Sequence, residues 1–288
     1  MPGSAERLSC FKAYDVRGRV GVEFGPGIAA RIAAAFAHVV GAGPVVLGRD
    51  CRASSPAIAD AVAAALVAAG CDVLDLGLCG TEEVYFATGH LGAVGGIMVT
   101  ASHNPADYNG LKLVGQGAAP LTAAEFSAIR AGAEGGVTLP VTVAGTRHDR
   151  RDIRRAYVAR VAGFVAPQTL RLLHILVNAG NGAAGPTFDA IAAELAARGA
   201  NLRFTRILHA PDPAFPHGVP NPLLVDNQPA TARAVREAKA DFGVAWDGDF
   251  DRCFLFDHLG RFVPGEYVVG LLAQAGILAE GTRRDGCP

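Results

Sequence analysis

Short apolar runs alternate along this chain with longer stretches of helical periodicity. Residues 44–48 form an apolar run ending in glycine, the pattern of a buried parallel strand. Ser54 or Ser55 then offers a cap with Pro56 in the first turn. Ile58, Val62, Leu66 and Ala69 recur at helical spacing, and Gly70 stops the helix. Residues 71–76 read as the next strand, 82–90 as a short helix, and 95–99 as another buried strand ending at Thr100 and Ser102. This rhythm predicts an α/β fold, its sheet mixed but mainly parallel, with helices on both faces.

A stretch of Gly, Pro and Thr with little periodicity, 132–151, becomes charged from Arg147 and places a domain boundary near residue 150. The second unit is predicted as helix 152–165, strand 170–178, helix 186–198 and strand 202–208. A proline-rich loop, 211–222, leads to helix 229–239 and strand 242–246. The remainder reads as a strand at 253–256, a turn at 257–260 and a helix at 265–280. One strand and one helix cannot close a core, so this looks like the opening of a third unit. The expected units are 1–150, 151–253 and an incomplete 254–288.

With 288 residues, half of them hydrophobic and 18% charged, the chain can build real cores. A net charge of −1 supplies no basic field for nucleic acid, whereas a small phosphorylated ligand needs only a local cluster of cations. The six cysteines, at 10, 51, 71, 79, 253 and 287, show no C-x-x-C or zinc spacing and read as thiols of a reducing cytosol. The first fourteen residues carry no apolar run, and the apolar stretch 57–69 is interrupted by Asp60 and too short to span a bilayer. The expectation is a soluble cytoplasmic protein with no membrane partner.

Two segments carry candidate chemistry. Asp247-Gly248-Asp249-Phe250-Asp251-Arg252 packs three carboxylates into five residues after a strand. Unit charges about 4 Å apart repel by roughly 4 kcal/mol at an effective dielectric of 20, a conflict that a hard dication removes. Magnesium, with its octahedral oxygen shell, suits Asp247, Asp249 and Asp251, and Gly248 lets the turn aim them at one point. A calcium loop is excluded because Arg252 stands where glycine is needed and His258 where the bidentate glutamate belongs. A solvated acidic turn fits poorly beside Trp246 and Phe250. The other segment is Thr100-Ala101-Ser102-His103-Asn104-Pro105, which presents a serine at the C-terminal edge of a buried strand, where ligands bind open α/β sheets. His103 is placed for proton transfer and Lys112 for neutralising a phosphoryl group, while an ordinary loop with a helix-capping serine is the alternative.

Gly180-Asn181-Gly182-Ala183-Ala184-Gly185 matches a dinucleotide fingerprint, but residues 202–209 lack the acid expected about twenty residues on. A haloacid-dehalogenase-type phosphatase also uses clustered aspartates with magnesium. Its acidic nucleophile opens its first strand, whereas this loop comes late.

Several separated motifs, in order, resemble the α-D-phosphohexomutase family. They are Lys12-Ala13-Tyr14-Asp15-Val16-Arg17-Gly18, Gly48-Arg49-Asp50-Cys51-Arg52, the serine loop, Asn109-Gly110-Leu111-Lys112 and the acidic loop. Gly80-Thr81-Glu82-Glu83-Val84-Tyr85-Phe86 and Gly218-Val219-Pro220-Asn221-Pro222-Leu223 are similar to the bacterial phosphomannomutase branch. The resemblance runs from about residue 11 to about residue 275. It implies two complete phosphohexomutase-type α/β domains with mixed sheets, a phosphoserine domain and a metal-binding domain, plus the opening of a third. Ser102 would be phosphorylated and, with Asp247, Asp249 and Asp251, would hold Mg2+. His103, Lys112 and Arg252 would assist the transfer, and Tyr14, Arg17 and Asn104 would line the phosphate side of a cleft. The family reaction moves phosphate between C6 and C1 of a hexose, mannose or glucose, through a bisphosphorylated sugar. A loop of the G-E-x-S-x-H type that reads sugar hydroxyls has only a superficial echo in Gly265-Glu266-Tyr267, and no distal phosphate grip is evident. A C-terminally truncated mutase with impaired turnover is therefore expected, or else a non-catalytic phosphosugar- or metal-binding remnant. The sugar preference and the oligomeric state are not legible.

Overall fold

The structure, a computed structural model, describes residues 7–136 and 143–284. Part of the expected linker, 137–142, and the tail with Cys287 lie outside the described residues. The first sheet contains β1 (Val16–Arg19), β2 (Val45–Arg49), β3 (Val73–Leu78), β4 (Gly95–Val99), β5 (Tyr108–Gly115) and β6 (Arg147–Asp149), in the order β1-β5-β4-β2-β3-β6. β2 runs parallel to both β3 and β4, and β6 runs parallel to β3. β5 turns back antiparallel between β4 and β1, so the sheet is mixed.

Alternation along the central strands divides the core into two layers. Val45, Leu47, Val73, Ile97 and Val99 join the apolar faces of α1 (Pro26–Val40), α2 (Ser55–Ala68) and α4 (Ala123–Gly135). Val46, Leu74, Leu76 and Met98 face the other way, onto Val84 and Ala87 of α3 (Thr81–His90). The helix start expected at Ser54 or Ser55 is present, but neither serine caps it. Their hydroxyls serve the interior instead. Ser55 Oγ donates to Asp50 at 2.5 Å, and both accept from Asn109 Nδ2, at 2.8 and 2.9 Å.

β5 depends on a backbone contact that only glycine permits. A Cβ at Gly110 would lie 1.9 Å from the Val16 carbonyl oxygen on the paired strand. Gly110→Ala is therefore expected to cost about 3 kcal/mol by prising β1 from β5. A urea-unfolding midpoint unchanged from the parent would contradict this.

The second sheet contains β7 (Leu173–Asn178), β8 (Leu202–Ile207), β9 (Phe242–Trp246), β10 (Cys253–Asp257) and β11 (Phe262–Val263), in the order β11-β10-β9-β7-β8. β7, β8 and β9 are parallel. Phe188 and Ala192 of α6 (Ala184–Ala197) pack on one face with Val177, and Val235 of α7 (Gln228–Ala238) packs on the other with Leu176 and Ala245. The strand expected to open a third unit, β10, pairs antiparallel with β9, with Cys253 opposite Trp246, and β11 pairs with β10. The free edge of β9 satisfies the backbone groups of this hairpin within the second sheet. Beyond it lies α8 (Gly265–Arg284), whose Tyr267, Val269, Leu271 and Leu272 are exposed.

The glycine run at the start of α6 serves packing. A Cβ at Gly185 would lie 2.1 Å from the His209 carbonyl, and one at Gly182 would lie 2.9 Å from the Gly248 carbonyl. α5 (Arg154–Ala162) packs against α6 and α3 and so spans the two sheets. Glu83, almost fully buried, ties this seam together. Its carboxylate accepts from Gly80 N at 3.0 Å, Thr187 Oγ1 at 2.6 Å and Arg154 Nε at 2.9 Å.

Candidate functional site

β4 ends at Val99 and delivers Ser102 into the seam, where it is 2% exposed. Ser102 adopts the left-handed conformation, φ 51°, which costs about 1–2 kcal/mol for a residue with a Cβ. Its N–H donates to Thr100 Oγ1 at 2.9 Å, and that hydroxyl donates to Asp50 Oδ2 at 2.8 Å. The side chain therefore leaves the sheet edge toward the second unit. Ser102 Oγ donates to Asp247 Oδ2 at 2.6 Å and lies 3.3 Å from His103 Nδ1. Arg252 Nη2 donates to Ser102 Oγ and Asp247 Oδ2, and lies 2.5 Å from His103 Nδ1.

The acidic loop follows β9. Phe250 takes a left-handed conformation, φ 68°, and its N–H returns to the Asp247 carbonyl at 3.2 Å, closing a tight turn. One ligand atom from each of Asp247, Asp249 and Asp251 can be chosen so that all lie within 4.8 Å of one another, with Asp247 and Asp249 fully buried. The first unit holds this loop. Thr81, at the start of α3, donates its N–H to the Asp249 carbonyl at 3.0 Å and its hydroxyl to Asp249 Oδ2 at 2.7 Å. Two close approaches complete the seam. A Cβ at Gly248 would lie 2.5 Å from the Ser102 carbonyl, and one at Gly80 would lie 2.8 Å from Phe250 Cδ1.

Charge in the site is partly offset by Lys112 from β5, whose Nζ lies 2.5 Å from both Asp249 Oδ2 and Asp251 Oδ2. Burial, then the Asp249 charge, pushes the Asp247 carboxyl up to about 6. Burial works against ionisation of Asp249 too, but Lys112 and hydrogen bonds from Lys112 and Thr81 prevail and hold it at about 2. His103 is lowered by burial and then by Arg252, so the ring is neutral and its Nδ1 is the acceptor for Arg252. The Asp249 Oδ1 and Asp251 Oδ1 atoms are buried without a hydrogen-bond partner. Arg252 Nε lies 3.5 Å from Asp251 Oδ1, and buried carboxylate oxygens without hydrogen bonds, in a trio this close, suit a hard divalent cation, so the residues present fit one.

The structure brings Ser102, His103, Lys112, Arg252, Asp247, Asp249 and Asp251 into one cluster. Arg17 and Asn104 flank the serine loop. Arg17 Nη1 donates to the Ala101 carbonyl and, at 2.8 Å, to Asn104 Oδ1. Tyr14 is 91% exposed and borders a separate hollow with Tyr85, Leu113 and Phe126. The sequence reading assigned no role to Thr81, Asp50 or Arg52. Asp50 and Arg52 did leave a signal, as an opposite-charge pair directly after an apolar strand.

Among known proteins, two family models match the chain. They are phosphoglucomutase/phosphomannomutase alpha/beta/alpha domain I over residues 9–137 and domain II over residues 155–260. A relative named phosphohexose mutases from Xanthomonas campestris pv. campestris is 52% identical over 274 residues, covering 95% of this chain and 60% of the relative. A phosphomannomutase of Salmonella typhimurium is 51% identical over 271 residues, covering 93% and 59%. The crystal structure of a phosphoglucomutase/phosphomannomutase family protein from Burkholderia thailandensis superposes with a TM-score of 0.85 at 31% identity, over 95% of this chain and 60% of that one. The chain thus spans about 60% of the length of the relatives it matches. Among the described residues no helix is long and apolar enough to cross a membrane.

Proposed function

The chain belongs to the phosphoglucomutase/phosphomannomutase family, and from that premise we propose that it interconverts mannose 6-phosphate and mannose 1-phosphate, with Ser102 as the phosphoryl carrier. The observation that carries this reading is the 2.6 Å contact between Ser102 Oγ and Asp247 Oδ2, across two separately folded sheets. A hydroxyl buried beside three carboxylates and two cations has the surroundings of a phosphoryl acceptor. Mannose is favoured because bacterial relatives near half identity are named phosphomannomutase.

Asp247, Asp249 and Asp251, with an oxygen on Ser102, would hold the divalent ion, proposed as Mg2+. When bound, it supplies charge neutralisation at the phosphoryl oxygens and at the serine oxygen. Everything else falls to the chain's own groups. As Ser102 takes a phosphoryl group from a bisphosphorylated hexose, the Oγ–P bond forms and the bond from phosphorus to the sugar oxygen breaks. The serine proton passes to Asp247 Oδ2 or His103 Nδ1, which lie 2.6 and 3.3 Å from Oγ, and is handed on to the sugar oxygen, which leaves as a hydroxyl. Arg252 and Lys112 offset the charge spread over the phosphoryl oxygens, and Arg17 steadies the loop through Ala101 and Asn104. The 1–150 unit would serve as the phosphoserine domain, and 151–263, with the β10–β11 hairpin on its sheet, as the metal domain.

The test is intact-mass measurement of the purified chain after incubation with magnesium and a hexose 1,6-bisphosphate. The expected result is a gain of one phosphoryl group, localised to Ser102 by digestion. Phosphate on another residue, or none, would remove the carrier role. Because these 288 residues contain no G-E-x-S-x-H loop, the stretch assayed by itself is expected to accept phosphate far better than it isomerises sugar.

A further inference from the structure

We propose that Arg52, charge-paired with Asp50, is a positioning residue that grips the Ser102 loop from inside and sets the aim of Oγ, an inference that rests on reading Ser102 as the phosphoryl carrier.

Arg52 is 1% exposed, an unusual burial for a guanidinium. All of the hydrogen bonds of its side chain run to the turn between β4 and β5 and the first residue of β5. Nη2 donates to the Ser102 carbonyl at 2.8 Å and the Asn104 carbonyl at 2.7 Å. Nη1 donates to the Pro105 carbonyl at 2.6 Å and the Tyr108 carbonyl at 3.1 Å. Four carbonyls turned inward around one planar fork define the loop's curvature. No other side chain offers that donor geometry. Arg52 Nε lies 3.2 Å from Asp50 Oδ2, so the charge is neutralised without drawing donors from the loop.

Asp50 completes the grip. It accepts from Arg52 N at 3.0 Å, Ser55 Oγ at 2.5 Å and Thr100 Oγ1 at 2.8 Å. Thr100 Oγ1 in turn accepts the Ser102 N–H. The peptide groups on both sides of Ser102 are therefore held by one ion pair: the carbonyl by Arg52 directly, the N–H by Asp50 through Thr100. This offsets the strain of a left-handed serine and fixes where its side chain points. Phe215 of the second unit covers the guanidinium at 5.6 Å and shields the pair from water. Neither Arg52 nor Asp50 hydrogen-bonds Ser102 Oγ or the acidic loop, so both act through the backbone.

Two variants test this. Arg52→Lys keeps the charge but replaces the fork with a single ammonium. Thr100→Val cuts the link from Asp50 to the Ser102 N–H without stranding a charge. In each, amide hydrogen exchange and the rate of phosphate uptake from a hexose 1,6-bisphosphate are measured, with magnesium affinity by calorimetry as a further readout. Exchange over residues 101–108 is expected to quicken by about tenfold or more while β2, β3 and β4 stay protected. Phosphate uptake is expected to slow by about 10- to 100-fold, since a misplacement near 1 Å carries that penalty, with the KM for the bisphosphate and the magnesium affinity unchanged. Unchanged loop exchange in both variants, or quickening spread evenly over the whole sheet, would overturn the proposal, because a merely structural ion pair behaves in those ways. Should the parent chain take no phosphate at Ser102, the carrier reading fails, while the exchange pattern still decides whether Arg52 holds the loop.

Discussion

Ser102→Ala is expected to abolish phosphate uptake and to lower any mutase turnover by about a thousandfold or more, while leaving the fold intact. The hydroxyl is the group that forms and breaks the bond to phosphorus in the proposed reaction, and it is the atom that hydrogen-bonds Asp247 of the acidic loop. Alanine carries the same Cβ as serine, so the left-handed backbone at this position is no more strained than before. Loss of one buried hydrogen bond costs about 1 kcal/mol, and Asp247 retains Arg252 as a partner. Intact-mass measurement and a coupled mutase assay, run beside a thermal melt, check the prediction. Activity near that of the parent would show that phosphate travels by another group.

The second large effect is expected from Asp249→Asn. Asp249 is fully buried, and its Oδ2 accepts from both Thr81 and Lys112. An asparagine can present one carbonyl oxygen to these donors but brings an amide that repels the Lys112 ammonium. Lys112 keeps Asp251 as a partner, so weakening the buried bonds to Asp249 is expected to cost about 1–3 kcal/mol. The same change removes a ligand charge from the proposed cation site, so magnesium affinity is expected to fall about 100-fold or more. Both effects appear in one experiment, urea unfolding with and without magnesium. Saturating metal stabilises a binding-competent fold, by about 2.7 kcal/mol at one hundred times Kd, and the variant should forfeit most of that gain. An equal metal-dependent shift in parent and variant would exclude Asp249 from the site.

The elements carrying this site were legible because their signals are local. Five consecutive buried residues make β4, with the serine just beyond it, and alternating acids follow the apolar strand β9. β5 was not read, since both of its faces are buried and Asn109 and Gly110 interrupt any apolar run. Its partner β1 went unread with it. Residues 253–263 looked like a beginning because the edge they complete, β9, lies on the far side of a turn whose direction no propensity reveals. Contacts between distant residues were the least visible. Thr81 meets Asp249 across 168 positions, and Lys112 meets Asp251 across 139. Motif resemblance placed Lys112 near a phosphoryl group, and it is the folded chain that seats it between two aspartates.

Beside the reacting oxygen the seam includes glycine backbone pressed against the opposite half, with Gly248 under Ser102 and Gly80 under Phe250. At these two contacts the glycine carries no side chain of its own to absorb a misfit. A chimera that grafts one half from a distant relative therefore inherits any ångström-scale error directly at the reacting oxygen. The two halves, though folded around different cores, are heritable only as a matched pair.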